Sequence, residues 1–186
     1  MESGTSPQKN QEIGASVHDF VLQNVNGDEQ SLSGFLSAKK GAVVIFWSGV
    51  CSHCVRYDAY LISFGERHPD LALIAVASRH GETPEQIRKT AGERGLVFPI
   101  LHDPGSLVAR QWFTQQTPRV FLIDNRRALL YRGAIDNYKY PDDPLYVPHL
   151  EPAIDDFLTG RPVERNETAS FGCAIQSVYY ILPKSL

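Results

Sequence analysis

Cys51 and Cys54 stand three residues apart in the segment Cys51-Ser52-His53-Cys54. Two cysteines at this spacing can carry reversible dithiol–disulfide exchange. A thiol attacks as its thiolate, so the pair needs something that lowers the pKa of one sulfur. Directly after a buried strand, Cys51 falls at the first turn of the following helix, where unpaired N–H groups and the helix dipole favour negative charge. Cys54 lies on the same helical face, within disulfide reach but inside the helix and less exposed. This asymmetry makes Cys51 the attacking sulfur and Cys54 the one that resolves a mixed disulfide. His53 can add an imidazolium that stabilises the Cys51 thiolate further, which makes the disulfide easier to reduce. The plainer reading of His53 is a solvated side chain on an exposed turn. Cys173, the third cysteine, is either a small buried hydrophobe or a third redox thiol exchanging with Cys51 or Cys54.

Zinc would require a second pair of ligands. Cys173 is alone and the other histidines lack ligand spacing, so no metal is expected; no dissociable cofactor is required either, because the cysteine pair itself carries the two electrons. Three cysteines are also too few for a disulfide scaffold. The net charge of -3 argues against a nucleic-acid or anionic-membrane partner, because both demand a concentrated basic surface. The pairs Lys39-Lys40 and Arg126-Arg127 read as solvated loop charges. The longest apolar run, Ala42 to Trp47, has the length of a strand and not of a membrane span. Residues Met1 to Glu12 are polar and hold no hydrophobic segment. The expected compartment is the cytoplasm, or the periplasm or exterior if a leader has been removed.

The surrounding pattern is that of a single α/β domain at residues 13–159, with a disordered lead at 1–12 and a tail at 160–186. Asn26-Gly27 marks a hairpin, and a short helix is expected at Leu32 to Ala38. Ala42 to Trp47 reads as a central strand buried on both faces. The helix opened by the cysteines should run to about Arg67, with Val55, Leu61, Ile62 and Phe64 facing the core. Leu71 to Ala77 is a second buried strand. Thr83-Pro84-Glu85-Gln86 carries a capping box for a helix ending near Gly95. A short strand at Phe98 to Leu101 and a helix from Asp103-Pro104 to Trp112 follow. Val120 to Ile123 and Ala128 to Tyr131 should form an antiparallel hairpin, Asp136 to Pro148 a loop, and Leu150 to Leu158 the last helix. The order describes a mixed central sheet flanked by helices.

With the strand, Phe46-Trp47, the two cysteines and the helix in place, the chain resembles the thioredoxin superfamily. Within it the chain is similar to the redoxin branch that holds the TlpA/ResA-like oxidoreductases and the AhpC/TSA proteins. The likeness implies a thioredoxin-like fold with an N-terminal β-hairpin extension, spanning roughly Ile13 to Leu158. It implies thiol–disulfide oxidoreductase activity toward protein thiols or disulfides, fed by an upstream redox partner. Histidine takes the place of His53 in the strongly oxidising enzymes of the DsbA type. Thr117-Pro118 before Val120-Phe121-Leu122-Ile123-Asp124 resembles the family's cis-proline segment, which implies that Thr117 and Pro118 belong to the partner-binding surface with Trp47 walling the site. From sequence alone a cis bond is a poor expectation, since only ~5–6% of X-Pro bonds are cis. Gly133-Ala134-Ile135-Asp136 and Gly172-Cys173-Ala174-Ile175 are similar to motifs in a further set of redoxin-domain proteins.

The chain departs from those relatives in places. Ile45 stands where thioredoxins bury an acid, and Tyr57 stands where ResA-like proteins have a glutamate. The remaining proton acceptors for Cys54 are His53, Asp58 and Glu66. Two other readings compete. A peroxide reductase would use Cys51 with Ser48 as its hydroxyl and Cys173 as a distant resolving thiol, although Val44 replaces the proline of the peroxiredoxin loop. A copper-binding chaperone of the Sco type would use His102 or His149, although its cysteines are spaced one residue wider. Trp112 reads as core. The tail end Val178 to Leu182 could pack back on the domain or meet a second copy.

Overall fold

The computed structural model describes residues 12–176, so all but the last residue of the expected N-terminal lead, and the Val178 to Leu182 segment, lie outside the described residues. The chain runs β1 (Val21–Asn24), β2 (Glu29–Ser31), α1 (Leu32–Leu36) and β3 (Gly41–Trp47). Then come α2 (Ser52–Val55), α3 (Asp58–Ile62), α4 (Phe64–Arg67), β4 (Leu71–Ala77) and α5 (Pro84–Glu93). After β5 (Ile100–His102), a 3-10 turn (Pro104–Ser106) leads into α6 (Leu107–Gln111), β6 (Gln116–Thr117), β7 (Arg119–Asp124) and β8 (Leu129–Gly133). Helix α7 (Leu150–Leu158) and β9 (Cys173–Ala174) complete it.

Seven strands form one mixed sheet in the order β2-β1-β5-β4-β3-β7-β8. β3 is central, parallel to β4 and antiparallel to β7. Every residue of β3 and β4 is buried, as a continuous β-branched run demands when both faces of a sheet are covered. Alternation along β3 divides the core. Val43, Ile45 and Trp47 face one layer, with Cys51, Cys54, Leu61, Phe64, Ile87 and Ile154. Ala42, Val44 and Phe46 face the other, with Leu32, Val108, Trp112, Phe121 and Ile175. Trp112 is core, set edge-on to Phe46 and Phe121. Among the described residues, no helix is long and apolar enough to cross a membrane.

The hairpin, the α5 capping box and the β7–β8 hairpin form where expected. The helix after the cysteines differs. It is broken into α2, α3 and α4, with non-helical dihedrals at Tyr57 (φ -101°, ψ 6°). Tyr57 turns inward and its hydroxyl donates to the buried Asp136 Oδ1 at 2.7 Å. At the second break, Ser63 Oγ donates back to the carbonyl of Ala59 at 3.0 Å, a bond that competes with the helical ladder. The inward stripe is Cys54, Tyr57, Leu61 and Phe64, whereas Val55 and Ile62 are exposed. The helix expected from Asp103 also begins as a 3-10 turn with Gly105 at φ 70°. Part of the tail is ordered: Arg132 donates its N–H to Asn166 O, Thr168 donates to Arg132 O, and β9 pairs with β6.

Candidate active site

Strand β3 delivers the chain into the cysteine loop. Cys51 is the N-cap residue of α2, in extended conformation (φ -85°, ψ 114°), and its carbonyl accepts from Cys54 N at 3.0 Å. The α2 turn is four residues long, so any dipole at Cys51 is that of one turn. Cys51 is disulfide-bonded to Cys173, with Cα atoms 5.9 Å apart and a sequence separation of 122. Cys54 is a free, fully buried thiol. The pairing of Cys51 in this structure is therefore with the tail cysteine rather than its C-x-x-C neighbour, and Cys173 belongs to the sulfur cluster.

Two short strands bring Cys173 there. β6 and β9 are antiparallel, with Gln116 opposite Ala174 and Thr117 opposite Cys173. Ile175 N–H donates to Gln115 O at 2.9 Å, and His80 N–H donates to Ile175 O at 2.9 Å. The Thr117–Pro118 bond is cis. The Thr117 carbonyl oxygen lies 3.3 Å from Cys51 Sγ, and both Thr117 and Pro118 are buried beside the sulfurs. A Cβ at Gly172 would be built into that same carbonyl.

Burial pushes the Cys54 thiol up from its ordinary 9.0 to about 11, since a thiolate loses hydration there. The Ser48 backbone, the Thr117 hydroxyl and the charge of Arg94 pull the other way without overcoming it, and the charge of Glu82 adds to the rise. Glu82 and Arg94, which the sequence reading missed, bracket Gly49 and place opposite charges near Cys54. Glu82 is buried; its Oε1 accepts from Gly49 N–H at 2.7 Å, and its Oε2 is buried without a partner. Arg94 donates to the Gly49 carbonyl at 3.0 Å, grips both oxygens of Asp58 and lies over the Trp47 ring. The two charged groups thus hold opposite ends of one residue in the loop before Cys51. Sequence offers no short-range signal for this, because Glu82 lies 33 residues from Gly49 and Arg94 lies 36 from Asp58.

The other candidates are placed as follows. Trp47 is fully buried with the tail docked. The His53 ring packs 5.0 Å from that of Tyr138, and its Nδ1 is buried without a partner. Arg56 is held between the rings of Tyr138 and Tyr140, so the Asp136 to Pro148 loop covers the outer side of α2. Glu66 is exposed, and Asp58 is committed to Arg94. Ser48 Oγ accepts from Val50 N–H at 3.3 Å, a turn contact. His102 Nε2 lies against the Glu82 carbonyl at 3.1 Å, and His149 precedes α7.

A buried strand, a cysteine at the following helix start and a cis-proline segment against it are the frame of a redoxin site. The model of the AhpC/TSA family matches residues 13–132. This chain belongs to the AhpC/TSA family. The redoxin chain is 30% identical over 112 residues to the thiol-disulfide oxidoreductase ResA of Geobacillus kaustophilus (strain HTA426), a match covering 60% of this chain and 63% of that protein. It thus spans less than two thirds of that relative's length. A hypothetical protein of Sinorhizobium meliloti 1021, solved by crystallography, is 29% identical with a TM-score of 0.79, over 88% of this chain and 93% of that one. The thioredoxin domain of a thiol-disulfide oxidoreductase from Bacteroides vulgatus shares the fold, with 18% identity and a TM-score of 0.57 over 66% and 87% of the two chains. The redoxin domain is accordingly thioredoxin-like in fold, with the N-terminal hairpin β1–β2 added at one sheet edge.

Proposed function

We propose that this protein is a thiol–disulfide oxidoreductase acting on protein thiols or disulfides, with Cys51 as the attacking sulfur. The observation that carries the reading is the Cys51–Cys173 disulfide seated against the cis Thr117–Pro118 segment. It places a two-electron couple where a helix start, a backbone edge and a buried second thiol converge. The reduced Cys51 thiolate attacks one sulfur of a partner disulfide, forming a mixed disulfide and expelling the other sulfur as a thiolate that takes up a proton. Cys173 or Cys54 then attacks Cys51, re-forming an internal disulfide and releasing the partner as a dithiol. An upstream dithiol donor returns the two electrons. The name of the Geobacillus kaustophilus relative supports the same chemistry.

The test is reduction of insulin with dithiothreitol as donor. Wild-type protein should accelerate it and Cys51→Ser should abolish the acceleration; a wild type no faster than dithiothreitol alone overturns the reading. His53 poises the couple toward oxidation. The wild-type potential should lie above thioredoxin's approximately -270 mV and fall in His53→Ala.

Membership of the AhpC/TSA family together with the Cys51–Cys173 pairing favours a second reading, reduction of a peroxide. The Cys51 thiolate would attack one peroxide oxygen, breaking the O–O bond to give a sulfenic acid and releasing the other oxygen as water or alcohol, and Cys173 would condense with the sulfenic acid to the disulfide and a further water. Hydrogen peroxide consumption by the reduced protein, one equivalent per disulfide formed, separates the two.

A further inference from the structure

The two ends of the Cys51–Cys173 disulfide sit in different surroundings. Cys51 is fully buried, in the core layer with Trp47, Cys54 and Ile135. The Thr117 carbonyl lies 3.3 Å from its sulfur. Cys173 only packs against the edge of that layer and is partly buried. Its neighbours in the tail open outward: Phe171 is 63% exposed, and Ala174 and Gln176 are exposed as well. Thiol–disulfide exchange depends on which of the two sulfurs is attacked and on access to it. Packed protein closes every approach to Cys51, whereas Cys173 keeps part of its surface in solvent. The docked tail maintains this difference. It is held by the β6–β9 pairing, by Gln116 Nε2 donating to Ser170 Oγ at 2.8 Å, and by Ile175, which is 2% exposed in the opposite core layer with Val108 and Trp112.

We propose that electrons enter this protein at Cys173: the upstream dithiol attacks the tail sulfur, and Cys51 is the leaving group. The inference rests on the oxidoreductase reading and fixes where its electron donor reacts, so donor and substrate meet the protein at two different cysteines. The donor thiolate bonds to Cys173 Sγ, the S–S bond breaks, and its electron pair departs on Cys51 as a thiolate. The donor's second thiolate then attacks the donor sulfur of the mixed disulfide, and Cys173 leaves as a thiolate. The donor ends as an internal disulfide, having lost two electrons and two protons, which Cys51 and Cys173 gain. A dithiol is required. Residues 166–168 stay fastened to β8 through Arg132 and through Thr168 Oγ1, which lies 2.6 Å from Tyr131 OH and accepts from Ala134 N–H. Cys173 therefore stays near Cys51, which expels a monothiol again, and only a second thiol already carried by the donor competes with it.

The probe is a thioredoxin whose second active cysteine is replaced by serine, so that its mixed disulfide persists. It is mixed with oxidised full-length protein carrying Cys54→Ser, which prevents internal reshuffling. The reaction is quenched at early times with N-ethylmaleimide in acid and mapped by mass spectrometry without reduction. Thioredoxin should be found on Cys173 and maleimide on Cys51, over the reverse arrangement by about ten to one, which is ~1.4 kcal/mol of difference in barrier. Adding Ile175→Ala, which loosens the docked tail, should raise the share of thioredoxin on Cys51 severalfold. Thioredoxin mainly on Cys51, equal loading of the two cysteines, or a share untouched by Ile175→Ala overturns the proposal. Intact thioredoxin reducing the wild-type disulfide faster than dithiothreitol at equal dithiol concentration assigns the donor as a protein, and the reverse order assigns a small dithiol. Insulin reduction by wild-type protein is scored separately. If insulin is reduced but thioredoxin loads Cys51, attack at Cys173 fails and the oxidoreductase reading stands. If thioredoxin loads Cys173 but insulin is not reduced, the oxidoreductase reading fails instead.

Discussion

Cys173 is the cross-strand neighbour of Thr117, whose carbonyl oxygen lies 3.3 Å from the Cys51 sulfur. The tail cysteine therefore reaches Cys51 as part of a ladder, whereas Cys54 reaches it through one turn of helix. The structure holds the Cys51–Cys173 disulfide with Cys54 free, and a Cys51–Cys54 bond is the alternative to be tested. Mass mapping of air-oxidised protein, alkylated under native conditions and digested without reduction, should find the Cys51–Cys173 peptide pair. Cys54 should take up label only after unfolding. In Cys173→Ser the same experiment should find Cys51 joined to Cys54.

Migration of the disulfide to Cys51–Cys54 requires the Cys54 thiolate. Burial raises that thiol to about 11, so its thiolate fraction climbs about tenfold per pH unit through neutral and mildly alkaline pH. The rate of migration, followed by acid quench and mass spectrometry, should rise with that slope and level off near pH 11. A flat profile would show that Cys54 is not the group attacking. The sign for stability follows from the same shift. The raised pKa contributes stability in full below the ordinary thiol value of 9.0 and is lost as pH rises toward about 11.

Arg94 and Asp58 form a largely buried ion pair, with side chains 16% and 19% exposed. Arg94→Met leaves the Asp58 carboxylate unpaired and should cost about 3–5 kcal/mol, read from urea unfolding. It also frees the Gly49 carbonyl and removes the positive charge that acts on Cys54, so the Cys54 thiol should titrate higher than in wild type. The Arg94→Met/Asp58→Asn double variant should recover part of the stability but not the Cys54 titration.

Gly41 opens β3 between two neighbouring strands, and a Cβ there would be built into the Ile123 carbonyl with the Phe157 ring 3.0 Å away. Gly41→Ala should destabilise the fold by roughly 1–3 kcal/mol through overpacking. Because Gly41 sits at the far end of β3 from Cys51, the rate of Cys51 alkylation in the reduced protein should be unaltered.

Tyr57→Phe removes the hydroxyl that donates to Asp136. Asp136 keeps the Tyr138 N–H at 2.7 Å, so the loss should be about 1–2 kcal/mol. It should fall on the Asp136 to Pro148 loop, raising hydrogen exchange there and loosening the cover over His53.

The parts of the fold that depend on local patterning were readable in the sequence. β3 and β4 are unbroken β-branched runs with one sensible environment, and Thr83 with Gln86 marks the start of α5 by itself. The spacing of Cys51 and Cys54 marks them as candidates, but the disulfide joins Cys51 to Cys173 and leaves Cys54 free. What escaped depends on contacts between distant segments. The break at Tyr57 arises from a hydrogen bond to Asp136, 79 residues away. β6 and β9 are two residues each, too short to carry periodicity, yet they decide which cysteine Cys51 joins. Glu82 looks like any solvated loop acid until folding buries it against Gly49. The cis Thr117–Pro118 bond was legible only through family resemblance.

The fastening of residues 166–168 to β8 means that Cys173, once released, remains on a leash of four residues running from Ala169 to Gly172. A short flexible tether holds its end at an effective concentration on the order of millimolar. A free thiol at ~10 micromolar competes with that at about a hundredfold disadvantage. Closure of the Cys51–Cys173 disulfide is therefore insensitive to how dilute the protein is. An external thiol competes on equal terms only as its own concentration approaches millimolar.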